Sequence, residues 1–161
     1  MSHIEIFNAG QPRLARYPVH WHHAGYVGQR GSYADPSEVD SLSIHNSFSR
    51  FVTIHGTHEA TVKNVVGYNG VGHGFFLEDG YETQNKLIGN LGVHIKNGII
   101  LPSERHRDIC LLTNDGYPGV DSSQWARGQE ACNGLSMFWI ANIENFLDDN
   151  ASGKYENRVH F

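Results

Sequence analysis

Two kinds of chemically capable side chain stand out in this 161-residue sequence: closely spaced histidines and an adjacent pair of carboxyls. His20 and His22 alternate with Val19 and Trp21, and His55 follows Val52-Thr53-Ile54 in a similar pattern. Glu78-Asp79 closes a comparable run, Phe75-Phe76-Leu77. Glycoside hydrolysis normally uses two carboxyls about 5 to 9.5 Å apart, and a carboxyl beside an imidazole has its acidity tuned by that neighbour. Glu78, Asp79 and His55 are therefore the candidate catalytic residues. The plainer reading of Glu78-Asp79-Gly80 is an acidic turn that ends a strand.

The histidines admit three readings. Neutral imidazoles with a carboxylate make a transition-metal site, for which His20, His22, His55 and Glu78 are the candidate ligands. Protonated imidazoles hold a uronate carboxylate, helped by Arg16 and Arg50, with His23 and His73 nearby. The third is a solvated or internally hydrogen-bonded ladder that stabilises stacked strands. Tyr68, in a turn, is a candidate platform for a sugar ring, whereas Trp21 falls on the inward parity and belongs to the core. Arg105-His106-Arg107 is a basic patch, more simply a solvated face. Cys110 and Cys132 either close one loop of about twenty residues, worth roughly 3 kcal/mol in the chain-entropy model, or are two buried thiols.

These residues need elements that bring distant segments together, and an internal repeat supplies them. Asn46–His55 aligns with Asn69–Glu78 at an offset of 23, and Gly74–Gly80 with Gly92–Gly98 at an offset of 18. Val19–His22 fits the same frame, with 26–40 as an inserted Gly/Ser/Pro loop. Short strands joined by Asn or Gly corners predict an all-β solenoid, a partial right-handed parallel β-helix. Alternation then points Val19, Trp21, Val52, Ile54, Phe75, Leu77, Val93 and Ile95 inward. It places His20, Thr53, Phe76 and His94 in one outward column, and His22, His55, Glu78 and Lys96 in a second. Ile4–Phe7 reads as a strand and Met137–Ile140 as a further buried rung. The coils are expected over 1–150, with a long loop at about 102–128 and a disordered tail at 151–161.

Composition narrows the function classes. Glycine (18 residues) and histidine (11 residues) are abundant, and a net charge of −5 with neutral histidines disfavours nonspecific nucleic-acid binding. There is no apolar run of the length a membrane span needs. The first residues have neither a basic n-region nor an apolar h-region, so no signal peptide is expected within this chain. Asn150-Ala151-Ser152 is a sequon for N-glycosylation.

Longer stretches resemble one family. They are Arg16–His22, Val52–Thr57, Val65–Asn69, Gly72–Gly80 and Cys132–Trp139. That family comprises the cell-migration-inducing hyaluronan-binding protein and the related transmembrane cell-surface hyaluronidase. The resemblance runs from about residue 4 to residue 150. It implies an extracellular or cell-surface β-helix that depolymerises, or at least binds, hyaluronan or a similar acidic polysaccharide. It also implies a Cys110–Cys132 disulfide and an association with calcium, for which Asp79, Asp115 and Asp121 offer oxygen ligands. The family's proteins are much longer, so the chain is expected to be a fragment of a longer enzyme. The alternative is a noncatalytic glycan-binding or structural module.

Overall fold

The computed structural model describes residues 1–12, 15–96 and 135–155. Its twelve strands are β1 (Ser2–Phe7), β2 (Val19–Tyr26), β3 (Glu38–His45), β4 (Val52–His58), β5 (Thr61–Lys63), β6 (Val66–Val71), β7 (Phe75–Leu77), β8 (Lys86–Ile88), β9 (Leu91–Lys96), β10 (Phe138–Trp139), β11 (Phe146–Asp148) and β12 (Ala151–Tyr155). Every strand pair among the described residues is parallel. One sheet has the order β10-β7-β4-β2. The other runs β11-β8-β5-β3-β6-β9-β12, with β1 also on β3. The fold is thus all-β, built from stacked parallel strands.

The second sheet folds at a corner that recurs in each coil. Left-handed backbone occurs at Ser41, Asn64, Gly89 and Asp149, where the chain turns within β3 and from β5 to β6, β8 to β9 and β11 to β12. Asn, Asp and Gly tolerate that conformation best, and they hold three of these four positions. After two of these positions, Gly89 and Asp149, the next residue is an asparagine whose side chain ties the coils together. Asn90 Oδ1 accepts from Val65 N–H (3.0 Å), while Asn90 Nδ2 donates to the Val62 carbonyl (3.0 Å). Asn150 repeats the arrangement one coil on, accepting from Asn90 N–H (3.1 Å) and donating to the Leu87 carbonyl (2.7 Å). Asn85 and Asn145 build a second ladder where the two sheets meet. Because the Asn150 amide is a rung tie, the sequon nitrogen is occupied in the folded chain.

Val19, Val52, Ile54, Phe75 and Leu77 of the first sheet pack against Val39, Leu42, Ile44, Val62, Leu87 and Ile95 of the second. Trp21 is half-buried against this core, and its indole N–H donates to the Ser37 hydroxyl at 2.7 Å. Phe51 is fully buried against Gly67 and Gly70, where a Cβ would come within 2.3 and 2.6 Å of its ring.

The expected frame is right in part. Val52, Thr53 and Ile54 pair with Phe75, Phe76 and Leu77, and Val19–His22 with Val52–His55. The 18-residue alignment is wrong. β9 stacks on β6, with Val71 opposite Lys96, so His94 and Lys96 leave the two columns and lie on the other sheet. Phe76 is followed by Trp139. Thr53 and Phe76 are also buried, not outward to solvent. The 26–40 insertion contains a short 3-10 turn, Gln29–Gly31, and the start of β3. The tail boundary moves too, because Ala151–Tyr155 is β12, paired to β9. Residues 102–128, with Arg105-His106-Arg107, Cys110, Asp115 and Asp121, and also Cys132, lie outside the described residues.

The asparagine ladder makes a prediction. Asn90→Ala strands the buried Val65 N–H and Val62 carbonyl, each worth about 1 to 3 kcal/mol. Urea unfolding followed by circular dichroism should show a loss on the order of 3 kcal/mol.

Candidate functional site

The histidines come from two adjacent rungs of the first sheet. β2 supplies His20, His22 and His23, and β4 supplies His55, in register with His22. A regular strand sends His22 and His23 to opposite faces. Here the register shifts between His22 and Gly25, with left-handed backbone at His23 (φ 50°) and Gly25 (φ 67°). The bulge brings the His23 ring 4.2 Å from His55 and 4.6 Å from His22, centroid to centroid. His20 lies 5.1 Å from His22 and is stacked over His55 at 6.4 Å. The Nδ1 atoms of His22 and His55 face each other at 3.1 Å. His20, His22 and His55 offer ligand atoms within 4.8 Å of one another, the one such cluster among the described residues.

The carboxyls arrive from the third rung. After β7, the Glu78 N–H still donates to the Ile54 carbonyl (3.0 Å), which carries the stack one residue further. The Glu78 carboxylate is buried; it accepts from the Tyr17 hydroxyl at 3.4 Å and lies 3.8 Å from His55 Nδ1. Asp79 is more open, its side chain 31% exposed, and bonds His55 Nε2 at 2.8 Å. His55 therefore touches both carboxyls and His22.

Burial sets the electrostatics. It pushes the Tyr17 hydroxyl up to about 12, with the Glu78 charge adding to the effect, so the phenol stays a donor. It also pulls His20 down to about 4, with smaller contributions from His22 and His55. His20 is neutral at pH 7, which removes one cation from the protonated-cradle reading. Arg50, 3% exposed, places its guanidinium 5.5 Å from the Phe76 ring centroid. Burial lowers it to about 10, against the attraction of Tyr17 and Glu78, so it remains a cation at neutral pH.

Other expected contributors are scattered. Arg16 is exposed and donates to Gln11 Oε1. His73 is buried beneath the face, accepting from Ser136 N–H (3.1 Å) and stacking on Phe76 and Trp139. Tyr68 is exposed but belongs to β6 on the other sheet, beside His94. Calcium does not fit the clustered histidines, since that ion takes oxygen ligands.

Two features escaped the sequence reading. Glu82, fully buried, accepts from the backbone N–H groups of Gly56 (3.0 Å), Asp79 (3.2 Å) and Gly80 (2.8 Å) and so fixes the Asp79 turn against β4. Tyr26, His58 and Tyr81 form an aromatic row beside the histidines, with centroid spacings of 4.6 and 6.0 Å. Arg30 lies over Tyr26. The bulge hides that row, because an unshifted frame pairs Tyr26 with Glu59 and not with His58.

Comparison with known proteins places this sequence in a family. The CEMIP beta-helix family model matches residues 1–158. The chain belongs to that family. It is 44% identical over 144 residues to the human cell migration-inducing and hyaluronan-binding protein, covering 89% of this chain and 10% of the relative. It is 43% identical to the Danio rerio cell surface hyaluronidase, with 94% of this chain and 11% of the relative aligned. Human cell surface hyaluronidase CEMIP2 is 40% identical, with the same coverage of 94% and 11%. The chain thus spans about a tenth of the length of these curated relatives. Among the described residues, no helix is long and apolar enough to cross a membrane.

The buried histidine beneath the site gives a pH prediction. Burial, and then Arg50, hold His73 down to about 4, while the unfolded chain's imidazole titrates near 6.5. As pH falls from 6.5, the unfolded state takes up a proton that the native state refuses. Native stability is therefore full above 6.5 and declines toward pH 4, by on the order of 3 kcal/mol. His73→Gln, which keeps an acceptor for Ser136, should remove the His73 share of that limb and leave the share of His20, which burial holds equally low, in a series of thermal melts from pH 4 to pH 7.5.

Proposed function

We propose that this chain handles hyaluronan or a related uronate polysaccharide and cleaves it by hydrolysis at the His55–Glu78–Asp79 corner. The observation that carries the reading is His55 held between two carboxyls of unequal exposure, in a family whose relatives are named for hyaluronan binding and hyaluronidase. Asp79 is the carboxyl a sugar can reach and would perform the proton transfer. Glu78 is buried behind it and supplies negative potential for an oxocarbenium-like transition state. His55 orients Asp79. His22, which is exposed, and the Tyr26–His58–Tyr81 row would contact the polymer, with Arg30 meeting uronate carboxylates. The same proposal includes a right-handed coil, an extracellular or cell-surface setting and a Cys110–Cys132 disulfide.

The burial of Glu78 favours a second reading, a glycan-binding module that does no chemistry. Gel filtration of high-molecular-weight hyaluronan after incubation with the chain separates the two. Hydrolysis predicts progressive shortening, no new absorbance from unsaturated uronate, and a loss of at least about 100-fold in Asp79→Asn. Unchanged polymer length excludes the catalytic reading for this chain. Unchanged polymer length together with binding that is lost in a Tyr26→Ala, Tyr81→Ala double variant supports the module.

A further inference from the structure

We propose that His20, His22 and His55 form a binding site for one divalent transition-metal ion of the zinc type, with Glu78 completing the donor set. The assignment stands on the nitrogen geometry and does not require the polysaccharide reading. Two imidazole nitrogens on a common zinc ion, each about 2.0 to 2.1 Å from it, are about 3.3 Å apart in a tetrahedral arrangement. The Nδ1 atoms of His22 and His55 already face each other at 3.1 Å. One ligand atom from each of His20, His22 and His55 lies within 4.8 Å of the others, so the widest pair has at most about 1.5 Å to close on a common ion.

The outer contacts match those of a ligating histidine. A metal-bound imidazole generally gives its second nitrogen's proton to a carboxylate or carbonyl, which fixes the tautomer. Asp79 Oδ2 takes that place on His55 Nε2 at 2.8 Å. This leaves the His55 Nδ1 lone pair turned toward His22 Nδ1 and 3.8 Å from Glu78 Oε2. His20 Nε2 is buried and has no hydrogen-bond partner among the described residues, a second sign that a ligand completes this corner. Charge balances as well. Three neutral imidazoles, a divalent cation and the carboxylates of Glu78 and Asp79 sum to zero. Imidazole-rich donors select zinc, copper or nickel over calcium or magnesium.

The test uses the full chain, free of any affinity tag and stripped with chelator, titrated with zinc in competition with a chromogenic chelator. One ion per chain should bind with Kd below about 1 µM. Cobalt in its place should give the visible absorption of a tetrahedral nitrogen–oxygen site, a readout that needs no variant. His22→Gln and His55→Gln should each weaken binding by at least about 100-fold, and Asp79→Asn by about 10- to 100-fold with stoichiometry unchanged. His94→Gln, on the other sheet, should have no effect. Circular dichroism checks that each variant is folded. The absence of binding below about 10 µM, binding untouched by both His22→Gln and His55→Gln, or an octahedral cobalt spectrum overturns the proposal.

Discussion

Parallel backbone pairing between successive coils is the constraint on which everything else depends. It fixes which residue lies above which, so groups 33 or 23 positions apart in sequence become neighbours about 4.8 Å apart. His22 meets His55 and Thr53 meets Phe76 for this reason alone. The corner asparagines make the stacking specific. Alternation alone forbids a one-residue slip but allows a two-residue one that keeps the same face inward, whereas a side-chain amide that must meet two backbone groups of the coil below has one acceptable register. The interior then needs only apolar residues of suitable size, and Phe51 against Gly67 and Gly70 is its most closely fitted contact.

Several charged groups are taken out of water around this framework. Burying a charge is costly unless it is paired or well hydrogen-bonded. Glu82 meets that condition with three backbone N–H groups, and Glu78 with the Tyr17 hydroxyl and the nearby Arg50 charge. The reward is rigidity. Each buried polar contact holds one orientation, so Asp79 and the histidines are pre-arranged before any partner arrives.

Much of this was legible in the chain. Alternating apolar positions at Val19–Trp21, Val52–Ile54 and Phe75–Leu77 reveal rungs of one sheet, and His20, His22, His55 and Glu78 follow from that frame. The failure at His94 and Lys96 has a physical cause. Alternation is the same on every face of a solenoid, so Val93 and Ile95 look like one more rung of the first sheet while they stack on Tyr68 and Gly70 of the other. The convergence of His23 and the Tyr26–His58–Tyr81 row depends on one extra residue in β2, which periodicity cannot register. Glu82 acts through backbone groups and carries no pattern. Asn85 and Asn90 recur as Asn145 and Asn150 at an offset of 60, far longer than the 23- and 18-residue alignments that define the repeat. Their roles emerge only once the coils are stacked.

Glu82 has a mechanical consequence as well as an electrostatic one. Its two carboxylate oxygens join the Asp79-Gly80 turn to Gly56, the residue after His55. When thermal motion displaces the end of β4, the turn is carried along with it. The Asp79–His55 separation is thereby insulated from breathing of the coil stack, much as two instruments bolted to one bracket keep their alignment on a swaying mast.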